Sequence, residues 1–142
     1  NLVAGVREEV HQYFQHVKAE LLPDCPHLRI IYSPLKDEYF QLFSQAIRST
    51  DILWTKPSEL SFYAALGVPL ILDDPVGDHE RANARLVLDA QAAVLRPPRE
   101  AVAHAISDGL SREAFARAAE NGFRRLPRNG TERIAETVFN HC

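Results

Sequence analysis

Lys56, Pro57, Ser58 and Glu59 follow an apolar run, and Asp73, Asp74, Asp78, His79, Glu80 and Asn83 crowd the next polar segment. In the first segment an ammonium, a hydroxyl and a free backbone amide meet at the start of a helix. The helix dipole is positive there, so such a place attracts phosphate. Glu59 is one residue further on and can accept hydrogen bonds from a sugar or ribose diol. In the second segment Glu80 and Asn83 are three apart and share one helix face, and Gly77 lets the backbone approach a ligand. The same residues have a purely structural reading, with Ser58 as an N-cap, Glu59 as a first-turn acid and Lys56 as a surface charge. Spacing leaves both readings open.

Other chemistries find less support. His79 beside Asp78 or Glu80 lacks an HxH or HxxxH partner, and Asp73-Asp74 before Pro75 suit a turn, so no metal site is expected. There is no nucleophile elbow, no GxGxxG segment and no Walker loop. His11, His16, His27, His104 and His141 fall on helix faces or loops without an evident partner, which suits structural or solvent-facing roles. Arg124, Arg125 and Arg128 read as a solvated basic loop, with an anion or membrane-surface patch as the alternative.

These residues need a scaffold, and Asp51 to Asn83 supplies its pattern: strand, polar loop, helix, strand, polar loop, helix start. Ile52 to Thr55 lack alternation, as expected of a strand buried on both faces, and Pro69 to Leu72 form a second such strand. Leu60 to Leu66 between them predict a short helix, with Gly67 as its left-handed stop. Both polar loops then follow strand ends. Ligands of open α/β sheets lie outside the carboxyl ends of the strands, so Lys56–Glu59 and Asp78–Asn83 are expected to meet across one crevice at that rim.

Upstream, Val6, Val10, Tyr13, Phe14, Val17 and Leu21 predict an amphipathic helix over residues 6–22, stopped by Pro23. A strand over Leu28–Tyr32 follows, then a helix carrying Tyr39, Phe43 and Ile47 with Asp37 as a possible cap. Downstream, Arg81 to Leu88 continue a helix and Ala92 to Leu95 form a strand. Pro98 suits the first turn of a helix that turns Val102, Ile106 and Leu110 inward. Ser111 can cap a further helix that Gly122 stops, and Thr131 a terminal helix with Ile134, Val138 and Phe139.

The 142 residues suit one domain, and 46% hydrophobic content suffices for a core. A net charge of −3 gives no footprint for a phosphate backbone, so no nucleic-acid partner is expected. No long apolar run, signal peptide or lipidation motif is present, and the chain reads as soluble and cytoplasmic. Cys25 and Cys142 match neither a zinc site nor a disulfide framework and read as reduced bystanders. With no methionine and a start at Asn1-Leu2-Val3, the sequence reads as part of something longer.

TKPSELSFYAALGVPLIL, then DDPVGDHERAN, then LDAQAAVL resembles the carboxyl-terminal, donor-binding domain of two-domain (GT-B) glycosyltransferases. The similarity is greatest to the branch with the peptidoglycan N-acetylglucosaminyltransferase and plant monogalactosyldiacylglycerol synthase, and it runs from about Thr50 to Leu95. It implies a Rossmann-like, three-layer α/β sandwich with a mostly parallel sheet. In that order of strands the Leu28 strand does not touch the Ile52 strand, and the missing strands and the acceptor domain precede Asn1.

The resemblance implies that Lys56, Pro57 and Ser58 line the diphosphate end of a nucleotide sugar, a UDP-sugar first, while Asp78, His79, Glu80 and Asn83 lie against sugar and diphosphate. It implies hexosyl transfer without a cofactor or metal of the chain's own, with the catalytic base upstream. It also leaves membrane association of the full-length protein open. Two positions depart from the family pattern: Pro57-Ser58-Glu59 replace a Gly-rich segment, and Phe62 stands where a ribose-binding Glu is usual. The alternatives are a UDP-sugar epimerase, which needs acidic and basic catalytic groups in this half, and a non-catalytic Rossmann-like domain that binds a partner or nucleotide.

Overall fold

The computed structural model describes residues 1–58 and 60–139; Glu59, His141 and Cys142, with the roles expected of them, lie outside the described residues. The architecture is mixed α/β with two small parallel sheets, one of two strands and one of three. The chain clusters into two compact units, Asn1–Thr50 and Asp51–Cys142, each with its own sheet.

The first unit is β1 (Leu2–Gly5), α1 (Glu8–Leu21), β2 (Ile30–Tyr32) and α2 (Lys36–Arg48). Strand β1 was not expected from the sequence. It runs parallel to β2, pairing Leu2 with Ile30 and Val3 with Ile31, and a bulge between Val3 and Gly5 shifts the register. Gly5 has a φ of 71°, which reverses the chain into α1 without a side-chain penalty. Lys18 Nζ donates to the Leu28 carbonyl at 2.9 Å and fixes the loop that returns to β2. Asp37 does not cap α2. Buried Ser33 does the local work: its hydroxyl accepts from the Leu35 N–H at 3.1 Å and donates to Glu38 at 2.7 Å.

The second unit begins β3 (Leu53–Thr55), α3 (Leu60–Ala65), β4 (Leu70–Leu72), α4 (Asp78–Asp89), β5 (Ala93–Leu95). The strands run parallel in the order β3-β4-β5, with Leu53, Leu70 and Ala93 in register. All of β4 is buried, as expected of a central strand. Strand β3 is not buried on both faces: it lies at the sheet edge and leaves Trp54 41% exposed. Leu60, Ala64, Leu70, Leu72, Val87 and Ala92 form the centre of the core.

Both helices return to the sheet through the same turn. After α3, Gly67 N–H donates to the Ala64 carbonyl and Val68 N–H to that of Tyr63; after α4, Gln91 N–H donates to Leu88 and Ala92 N–H to Val87. These are paired Schellman closures with the left-handed position at Gly67 (φ 85°), as expected, and at Gln91 (φ 56°), which carries a side chain there.

A 3-10 turn over Arg99–Ala101 follows Pro98, then α5 (Val102–Ser111), α6 (Ala114–Arg125) and α7 (Gly130–Phe139). Three expected boundaries are corrected here. Ser111 is the last residue of α5 and its hydroxyl donates back to the Ser107 carbonyl, so it caps nothing downstream. Glu113 holds the N-cap of α6 at a φ of 56°. Gly122 does not stop α6 but lies inside it, buried, where an added Cβ would collide with the Ala64 carbonyl. Its role is close approach of α6 to α3. Thr131 lies within α7 instead of preceding it, and Leu110 is exposed and not inward.

Arg124 and Arg125 belong to the last turn of α6, and all three arginines of the basic run have partners. Arg124 pairs with Glu120, Arg125 donates to the Gln91 side-chain oxygen, and Arg128 stacks over the Phe123 ring. Among the described residues no helix is long and apolar enough to cross a membrane.

Candidate functional site

Strands β3 and β4 are parallel neighbours, so the loops that follow them leave the same rim of the sheet. The Asp73 N–H donates to the Thr55 carbonyl at 3.0 Å, which ties the last residue of β3 to the first residue after β4. From there Lys56–Ser58 lead into α3, and the 73–77 loop leads into α4.

Asn83 brings the two loops together. Its side-chain amide donates to the Ser58 carbonyl at 2.6 Å and the Pro57 carbonyl at 3.4 Å. Pro57 is buried, whereas Lys56 and Ser58 are exposed, so the loop presents its polar side chains outward from an anchored proline. The backbone turns tightly here, with the Ser58 N–H donating to the Lys56 carbonyl at 2.8 Å. Helix α3 has only six residues, too few for a strong terminal dipole.

Gly77 is the N-cap of α4, and it offers no side chain to the first turn. Glu80 reaches back over this turn, and its carboxylate accepts at 2.7 Å from the N–H of Val76, the residue before the N-cap. Asp78 accepts from Arg81 Nη2 at 2.5 Å and Nε at 3.2 Å. The exposed His79 ring lies beside Gly77, where an added Cβ would come within 3.1 Å of the imidazole. Asp78 and Glu80 both favour the α4 dipole from the first turn and oppose a second anion there.

Arg96 is the site residue that the motifs did not single out. Its backbone N–H donates to the Leu72 carbonyl, which places it at the rim beside the end of β4. Its guanidinium then spans both acids, Nε to Asp73 and Nη2 to Asp74, each at 2.6 Å. The hydrogen bond and charge of Asp74, joined by Asp73, hold the guanidinium above its ordinary range. The available signal was topological: parallel strands place the residue after β5 next to the residues after β4. The acids are thereby committed to a cation of the chain, and among the described residues no group of three or more His, Cys, Asp or Glu side chains converges on a metal position.

The rim therefore combines Lys56, which forms no ion pair among the described residues, with an Asn-tied pair of loops and a partly neutralised acid cluster. Such an arrangement suits binding and electrostatic work more than proton transfer. Residues 6–96 match the family described as a domain of unknown function, DUF6938, and the chain belongs to that family. Neither a curated protein nor a solved structure matches it.

Proposed function

We propose that the second unit of this DUF6938 member binds a nucleotide-sugar donor at the carboxyl rim of β3 and β4, as the donor-binding part of a GT-B glycosyltransferase with a Rossmann-like fold. The observation that carries this reading is the bond from Asn83 to the Ser58 carbonyl, which holds the Lys56–Ser58 loop against the start of α4. A diphosphate resting on Lys56 would be oriented for hexosyl transfer. The ammonium would stabilise the charge of the departing nucleotide.

A second reading, a non-catalytic domain that binds a nucleotide or partner, draws on a specific observation. Glu80 and Asn83 direct polar atoms at backbone groups of the two loops, and Phe62 is 63% exposed where a ribose-binding acid is usual in the resembled family.

Thermal unfolding of the chain with UDP, GDP, dTDP, UDP-glucose, UDP-galactose and UDP-N-acetylglucosamine tests the donor reading. A ligand at a hundred times its Kd adds about 2.7 kcal/mol to the native state. UDP-sugars should raise the midpoint, and Lys56→Ala should weaken UDP at least tenfold while leaving uridine unchanged. Midpoints unmoved by every compound would reject nucleotide-sugar binding. A response to nucleotides with no preference for their sugar conjugates would favour the second reading.

A further inference from the structure

The first unit holds a groove of about 740 Å³ between one stripe of α1 and the segment that returns to β2. Its volume lies in the range of small-molecule sites. One wall carries His11, Gln15, Lys18 and Ala19, spaced at four, seven and eight residues and therefore on one side of the helix. The other wall includes Pro26, Leu28 and Arg29.

The lining is unusual for a chain with more acids than bases. It contains Lys18, Arg29 and the imidazole of His11, and no Asp or Glu. Among the described residues neither Lys18 nor Arg29 forms an ion pair. Lys18 donates one of its three protons to the Leu28 carbonyl, which keeps the ammonium at the groove with donors to spare. His11 is fixed by stacking on Tyr32 at 4.0 Å and by the Gln15 amide, which lies 3.0 Å from its Nε2.

The opposite wall is also preformed. The Arg29 carbonyl accepts from the Leu2 N–H at 2.8 Å, while turns closed by Cys25 N–H on Leu22 and Leu28 N–H on Cys25 shape the loop. Proline, leucine and alanine surfaces between the cations offer contact to an apolar body. A tethered ammonium and a guanidinium beside proline, leucine and alanine surfaces suit a ligand that has both parts.

We infer that this groove binds a small organic anion, a carboxylate or phosphate monoester with an apolar body, whose charge pairs with Lys18 and Arg29. This site is independent of the nucleotide-sugar reading of the second unit.

Amide and arginine side-chain NMR shifts of the whole chain, titrated separately with phenyl phosphate, benzoate and uncharged benzyl alcohol, test it. At least one anion should give saturable shifts confined to residues 11–30, and benzyl alcohol should bind at least tenfold more weakly. The stronger of the two anions identifies the head group. Arg29→Gln should weaken that anion at least tenfold, and Arg29→Lys should restore most of the affinity. Failure of both anions to saturate, equal binding of benzyl alcohol, unchanged affinity in Arg29→Gln, or an equal loss in both Arg29 variants would overturn the inference.

Discussion

The side-chain amide of Asn83, on α4, donates to the backbone carbonyl of Ser58 across 25 residues of sequence at 2.6 Å. This bond makes the Lys56–Ser58 loop and the α4 start one structure, and Asn83→Ala should have a cost in folding as well as in any binding. Removing this tie should lower stability by about 1 kcal/mol, the net value of a typical intramolecular hydrogen bond. Urea unfolding should show a lower midpoint, and amide exchange at Lys56 and Ser58 should quicken. Unchanged exchange there would mean that the loop is held by other means.

Gly67 and Gln91 occupy equivalent left-handed positions after α3 and α4, but only one is glycine. Gly67→Ala should destabilise by about 1 kcal/mol, because a side chain in this conformation is strained. Gln91→Gly should remove that strain, offset in part by loss of the exposed Arg125 hydrogen bond, for a net gain of up to about 1 kcal/mol. Urea midpoints that move in opposite directions at constant m-value are the expected result.

Gly122→Ala should destabilise by about 2 kcal/mol. Alanine is the better helix former by about 1 kcal/mol, but overpacking against an unyielding backbone carbonyl costs more. Gly130→Ala is the control: a Cβ at the start of α7 meets nothing within 4 Å, so only the propensity gain should appear. Thermal midpoints of the two variants should fall on opposite sides of the parent.

Glu8 accepts hydrogen bonds from Tyr32 and Gln12, and the Tyr32 bond chiefly holds its carboxyl below the ordinary value of 4.5. The same bond to Glu8 is the main cause that holds the Tyr32 phenol above 10.0. The Glu8 contribution is present above 4.5 and disappears as pH falls through its lower folded value. The Tyr32 contribution is present below 10.0 and disappears as pH rises through its higher folded value. Tyr32→Phe should therefore destabilise at neutral pH by more than it does near pH 2. Urea midpoints of parent and variant, compared at both pH values, should converge in acid.

Much of the second unit was legible because its signals are local. The apolar runs around Trp54 and Ile71, the Gly67 stop and the polar start of α4 each lie within a few residues. The first strand was not legible: Leu2–Gly5 is short, and pairing with β2 across almost 30 residues, not its composition, makes it a strand. The exposure of Trp54 follows from strand order, which an apolar run does not encode. Ser111 and Gly122 were misread for a related reason. Both are residues that often mark boundaries, but contacts with the Ser107 and Ala64 carbonyls decide their roles. At the rim, residue types suggested a ligand, whereas in the fold Asp73, Asp74 and Asp78 pair with arginines and Glu80 and Asn83 bond backbone groups.

The family match ends at residue 96, yet the helix whose Gly122 fits against Ala64 begins at Ala114. The matched stretch thus stops before the helix that covers this side of α3. A polypeptide cut at residue 96 would lay the Ala64 side of α3 bare, so a helix outside the matched stretch keeps water from that surface.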